Sequence, residues 1–244
     1  MNGNLCVMAA RNGPHLSVSQ PIIKTVSKKK RRNFSVLAQS PSLPSASALC
    51  LCNRRPEICS GIALLDDRTI AEVNARGGIR SIAISHPHYY TTMVESAERF
   101  DAQILLHVAD REWVMRKSFR IQFWEGGTLP LWDNLTLINC GGHFEGGTVL
   151  HWPACENGKG ALLTGDIIQV VQDRRYVSFM RSYPNLIPLG RTAINRILEK
   201  IEPFAFQQLY GAWWKANVLS DAKAAVARSA ARYLRAIEAG ASYG

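Results

Sequence analysis

The chain has no apolar run approaching the roughly 20 residues that a membrane-spanning helix requires, so no such helix is expected. It also has no cysteine framework. The six cysteines, at positions 6, 50, 52, 59, 140 and 155, follow no regular spacing, which argues against a disulfide scaffold and fits free thiols in a reducing compartment. Cys50-Leu51-Cys52 with Cys59 matches no common zinc spacing. Acidic residues are scarce at one end: residues 1–58 hold nine Lys or Arg against the single acid Glu57, a net +8, while the other 186 residues carry only +2. A basic character so confined gives a nucleic-acid partner no footing in the rest of the chain. The expected partner is a small-molecule substrate, with neither nucleic acid nor membrane involved.

What is there divides in two. Residues 1–60 are rich in Ser, Lys and Arg and contain Ser40-Pro41-Ser42-Leu43-Pro44-Ser45, a stretch that neither helix nor sheet would hold. This composition reads as a disordered leader or transit-like segment, with Val36-Leu37-Ala38 as a place for processing. Plastid (chloroplast) import is the expectation. The run Lys28-Lys29-Lys30-Arg31-Arg32 keeps a nuclear or cytoplasmic location open.

Residues 61–244 alternate helix and strand patterns. Asp67 is placed to cap a helix with Ile70 and Val73 on one face, which Gly77-Gly78 stops, and Ile79–Ser85 then reads as a buried strand. Thr92 followed by Glu95 is a capping-box pattern ahead of a helix that buries Met93, Ala97 and Phe100. Gln103–Val108 begins the next strand, and this β-α-β order predicts an α/β fold whose sites form beyond the carboxyl ends of strands. Further on, Thr148–Trp152 and Ala161–Thr164 read as a hairpin, and Asp173-Arg174-Arg175 as the turn of another. Ile194, Ile197, Leu198 and Ile201 mark one amphipathic helix and Ala222–Ile237 a longer one.

Four candidate metal ligands fall at strand ends. His86-Pro87-His88 follows the apolar Ile82-Ala83-Ile84, His143 sits in Gly141-Gly142-His143-Phe144-Glu145-Gly146-Gly147, and Asp166 follows Ala161–Thr164. Imidazole and carboxylate are what a borderline ion such as zinc or iron selects. Pro87 predicts a bend that turns both histidines of the pair inward. The entry of one hairpin strand and the exit of the other lie at the same end, so His143 and Asp166 are expected to converge. His107 and His151 sit within apparent strands and read as structural residues. Ser182-Tyr183-Pro184-Asn185-Leu186-Ile187-Pro188 reads as a rigid connector or a rim loop, and Trp213-Trp214 as core packing or the wall of an apolar pocket.

With these residues in place, the region from about Gly61 to the C-terminus resembles the metallo-β-lactamase-fold superfamily, in particular its divergent metallo-β-lactamase-like members. His86-Pro87-His88-Tyr89-Tyr90-Thr91 matches the first part of its His-x-His-x-Asp-His signature, His143 its later lone histidine, and Thr164-Gly165-Asp166 its strand-ending aspartate. Tyr90 and Thr91 replace the Asp and His of the second metal, Tyr210-Gly211-Ala212-Trp213 stands near the place of the last histidine, and no His follows position 151. The resemblance implies an αββα sandwich, incomplete here at the N-terminal sheet strands. It also implies a mononuclear site with His86, His88, His143 and Asp166 around Zn²⁺, or alternatively Fe²⁺. The position of Tyr90 beside the histidine pair makes it a candidate donor to a developing oxyanion. The implied activity is hydrolysis of an ester, thioester or similar bond. The alternatives are a mononuclear Fe(II) thiol or persulfide dioxygenase, and a non-catalytic scaffold that retains the fold.

Overall fold

The computed structural model describes residues 23–26, 34–37, 48–49, 57–60, 67–75, 77–213 and 216–239; the remainder of the expected leader lies outside the described residues. The chain divides into two compact units, the first holding residues up to Leu106 with Arg111–Trp124 and Ala212–Lys215, the second holding His107–Asp110, Glu125–Gly211 and the residues from Ala216.

In the first unit β1 (Ile23–Val26) and β2 (Phe34–Leu37) pair with each other, and β3 (Ala48–Leu49) and β4 (Glu57–Ser60) precede α1 (Asp67–Ala75). Then come β5 (Ile79–Ala83), α2 (Met93–Phe100), β6 (Gln103–His107) and β7 (Ile121–Trp124), and the sheet order is β3-β4-β5-β6-β7. No strand was expected before Gly61. Four-residue segments such as Glu57–Ser60 are too short for a periodic signal, and β4 owes its conformation to parallel pairing with β5.

The helix signals hold at α1, where the Gly78 amide reaches the Val73 carbonyl and the Gly77 amide that of Asn74. Both glycines have positive φ, the geometry of a Schellman stop. Beneath the sheet Val73, Ile82, Met93, Ala97, Ile104 and Leu106 are buried at 0–1% exposure, and full burial of a large aliphatic chain contributes about 1.5–3 kcal/mol. The expected capping box at α2 does not form. Thr92 makes no side-chain cap, and Glu95 instead pairs with Arg116. That ion pair chiefly, with the backbone amide of Glu95 next, holds the Glu95 carboxyl pKa below the ordinary value.

The second unit is built on β8 (Thr128–Pro130), β9 (Thr136–Asn139), β10 (Thr148–Trp152), the single turn α3 (Cys155–Gly158) and β11 (Ala161–Gly165). β12 (Gln169–Val170) pairs with β13 (Val177–Ser178), and β14 (Met180–Ser182) with β15 (Ile187–Pro188). α4 (Arg191–Ile201), β16 (Gln208–Gly211), β17 (Asn217–Val218) and α5 (Ala222–Ala239) complete it. Sheet order is β17-β16-β11-β10-β9-β8. The predicted hairpin is present as the antiparallel β10–β11 pair, and β16 joins β11 in parallel. Ile194, Ile197 and Ile201 on α4 are buried, as the i, i+3, i+7 spacing requires. α5 braces the β12–β13 ladder through the Ser229 hydroxyl, which accepts the Val177 amide at 2.8 Å.

Candidate metal centre

The half of the centre in the first unit begins where β5 ends. Ile84, Ser85 and His86 continue as buried chain, and His86 is extended (φ −169°, ψ 167°) before Pro87–Tyr89 folds into a 3₁₀ turn with proline in its first position. The proline supplies the bend the sequence predicts. It brings the His86 and His88 rings to 5.0 Å between centroids, edge to face. Tyr89 packs edge-on against His86 at 4.6 Å. The Ser85 hydroxyl lies 2.9 Å from His86 Nδ1, which fixes the ring orientation and leaves Nε2 as the natural ligand atom. Partial burial lowers the His88 pKa, favouring the neutral imidazole that metals require. Tyr90, expected as an oxyanion donor, belongs to the hydrophobic core with Ile82 and Met93.

The half in the second unit is the glycine loop between β9 and β10. His143 is buried, and its Nδ1 faces the carbonyls of Met180 (3.2 Å) and Arg181 (3.0 Å). Carbonyls only accept, so Nδ1 carries the proton and Nε2 carries the lone pair. The loop is held by a dense set of bonds. The amides of Cys140 and Gly141 both donate to the Gly147 carbonyl, and the Gly147 amide returns to Phe144. Asn139 Nδ2 donates to the Glu145 carbonyl at 3.1 Å, and the Arg196 guanidinium donates to Asn139 Oδ1 at 3.0 Å. Arg181 caps the carbonyls of Gly142 and His143. The buried Asp110 carboxylate accepts the Gly146 amide, so closely that glycine alone fits there.

Asp166 follows β11 at the sheet end where β10 begins, as the hairpin topology predicts, and is buried. The Tyr183 hydroxyl donates to the Asp166 carbonyl at 3.0 Å, and the Tyr183 ring stands 5.5 Å from that of His143. Burial chiefly, and the Asp166 charge next, push the Tyr183 phenol above its ordinary pKa, so it stays a protonated donor. Sequence reasoning missed Tyr183 as a site residue. Its signal was the proline-bounded segment 182–188, which admitted both a connector and a rim loop. Asp110 and Ser85 carried no signal of their own.

One ligand atom from each of His86, His88 and His143 lies within 4.8 Å of the others; Asp166 is not among the three. His107 and His151 are structural, as expected: His107 Nε2 meets the Gly126 carbonyl at 3.1 Å and His151 Nε2 the Ala205 carbonyl at 2.9 Å. Trp213 packs against the core of the first unit, Tyr210 donates its hydroxyl to Gln208 at 2.6 Å, and Trp214 lies outside the described residues.

These features define a class: the chain has the metallo-β-lactamase fold. It is similar to the metallo-β-lactamase SMB-1 in complex with mercaptoacetic acid (TM-score 0.54, 16% identity, 78% of this chain and 89% of that one). It is also similar to a metallo-β-lactamase of Cronobacter sakazakii with an HARLDQ motif (TM-score 0.53, 17% identity, 82% and 89%). A third similar structure is the peroxy diiron species of the chemotaxis sensor ODP (TM-score 0.52, 15% identity, 78% and 85%). In sequence the chain is 53% identical over 173 residues to the uncharacterized protein YmaE of Bacillus subtilis (strain 168), across 71% of this chain. It spans 63% of the length of that relative. No family model matches the chain.

Proposed function

We propose that the protein is a metal-dependent hydrolase that holds one divalent ion, most simply Zn²⁺, on His86, His88 and His143 and cleaves an ester, thioester or similar bond of a small molecule. The observation that carries this reading is the gathering of three imidazole donor atoms within 4.8 Å of one another. The donor set fits the group, because neutral imidazole is a preferred ligand of zinc and of iron, and each of the two buried histidines is oriented by a partner at Nδ1. When bound, such an ion lowers the pKa of water to about 7 and polarises a substrate carbonyl.

The chain's own residues account for the rest. His143 is held in one tautomer by two carbonyls, so no reorganisation is needed to present Nε2. The Asp166 carboxylate serves as a further donor or as the acceptor that orients the attacking water, and Tyr183 fixes the backbone that carries it. The expected result is about one equivalent of zinc per purified chain and turnover of an ester or thioester that His143→Ala abolishes. Stoichiometric iron with oxygen uptake, and no hydrolysis, would overturn this reading.

A second reading has a specific observation behind it: a structural neighbour with this fold is described as a peroxy diiron species. His86, His143 and Asp166 offer the two imidazoles and one carboxylate that suit Fe(II), and the substrate class would be a thiol or persulfide. Metal analysis together with an oxygen electrode separates the two.

A further inference from the structure

We infer that the β14–β15 hairpin is the specificity element of the site proposed above and receives the apolar acyl chain of an ester or thioester; the inference rests on that reading for the identity of the reacting bond.

The hairpin is tied to the candidate ligand itself. Two consecutive carbonyls of β14, those of Met180 and Arg181, take the proton of His143 Nδ1. One residue beyond β14, Tyr183 sets its ring 5.5 Å from that of His143 and its hydroxyl on the Asp166 carbonyl. These contacts couple the strand to the histidine. Its tip is closed by the Leu186 amide donating to the Tyr183 carbonyl at 3.2 Å, which makes Leu186 one β-turn from Tyr183, within about 7 Å between α-carbons. Asn185 donates to the Ser182 hydroxyl at 3.1 Å and Pro184 restricts the turn, so the tip is preorganised.

At this tip a strained backbone coincides with exposed aliphatic side chains. Leu186 has φ 54°, a left-handed conformation that glycine or asparagine adopts with little penalty and a leucine does not. Its side chain is 79% exposed, and the next residue, Ile187, is 49% exposed. A strained backbone that presents two adjacent aliphatic chains to solvent, one turn from a residue packed on a candidate metal ligand, has the character of a ligand clamp. Aliphatic chains without a polar group select an aliphatic partner, so the complementary ligand part is a hydrocarbon chain.

The test uses the full-length, zinc-loaded protein and straight-chain carboxylates from acetate to octanoate, with dissociation constants read by calorimetry. Affinity is expected to rise about two- to fourfold per added methylene, the range for partial to full burial of each group. In Leu186→Gly and Leu186→Asn, both suited to the local φ, the ratio falls toward one per methylene. Leu219→Ala, at a comparably exposed leucine outside the hairpin, keeps the wild-type ratio. No binding of octanoate, no dependence on chain length, or an unchanged ratio in Leu186→Gly would overturn the inference. Because binding is read without turnover, a chain-length dependence that Leu186→Gly removes, with no ester or thioester cleaved, overturns the hydrolase reading and leaves the role of the hairpin standing.

Discussion

The Asp110 carboxylate accepts the backbone amide of Gly146 at 2.8 Å across 36 residues of sequence, and Asp110 is only 1% exposed. A β-carbon on Gly146 would stand 2.5 Å from the Asp110 carboxyl carbon, far inside contact distance. This bond joins those of Glu145 and Gly147 in holding the far side of the loop that presents His143.

Gly146→Ala must displace the carboxylate or the loop, and Asp110→Ala leaves a buried amide without its acceptor. Either is expected to cost about 1–3 kcal/mol in urea denaturation and to weaken metal binding at the proposed centre about 10- to 100-fold, as loss of an outer support does. Asp110→Asn keeps an acceptor oxygen and should recover most of both. Unchanged metal affinity in Gly146→Ala would show that the loop does not depend on this contact.

Metal content should sort the histidines. His86→Ala and His143→Ala are expected to bring bound metal well below one equivalent by elemental analysis. His107→Ala and His151→Ala should retain it, while losing about 1–3 kcal/mol because the Gly126 or Ala205 carbonyl is stripped of its donor. Full metal retention in His143→Ala would remove the ground for the proposed centre.

The same two structural histidines predict a pH dependence. Burial is the largest cause lowering both pKa values from the ordinary 6.5, with the Gly126 and Ala205 carbonyls opposing it and Arg196 adding to it at His107. The unfolded chain therefore binds more protons than the folded one just below pH 6.5, so the stability contribution is present above that pH and is lost as pH falls through the window beneath it. The urea midpoint should drop between pH 7 and pH 5. His151→Gln, which keeps a donor for the Ala205 carbonyl, should flatten part of that slope; a slope as steep as wild type would contradict the assignment.

Cys140 is fully buried and its thiol is pushed up to about 12, chiefly by burial, with Arg196 and Lys200 opposing. The thiolate is the reactive form, so Cys140 should resist iodoacetamide at pH 8 in the native protein and react once the chain is unfolded in urea. Peptide mass mapping of the two samples reads this directly; rapid native labelling of Cys140 would mean that the β9 end opens readily.

Much of the fold was legible because it repeats along the chain. β5, the β10–β11 hairpin and the buried face of α4 follow from period-two and period-3.6 patterns, and Pro87 announced the bend that joins His86 to His88. What was not legible depends on partners distant in sequence. Glu95 sits where a capping box wants it, yet Arg116, 21 residues on, takes it. Tyr183 gains its role from Asp166, 17 residues back, and Asp110 from Gly146. Tyr90 occupies a motif position, and its ring is also part of the buried apolar cluster, a placement the motif does not announce. Short segments such as Glu57–Ser60 become strands only by pairing with β5, which no local pattern encodes.

The carbonyls that orient His143 belong to residues 37 and 38 positions later in the chain. During synthesis, which proceeds from the N-terminus, the imidazole emerges from the ribosome well before anything selects its tautomer. Completion of the proposed centre is thus a late event in biogenesis, and a nascent chain arrested ahead of Met180 would carry all three imidazoles before the carbonyls that orient one of them exist.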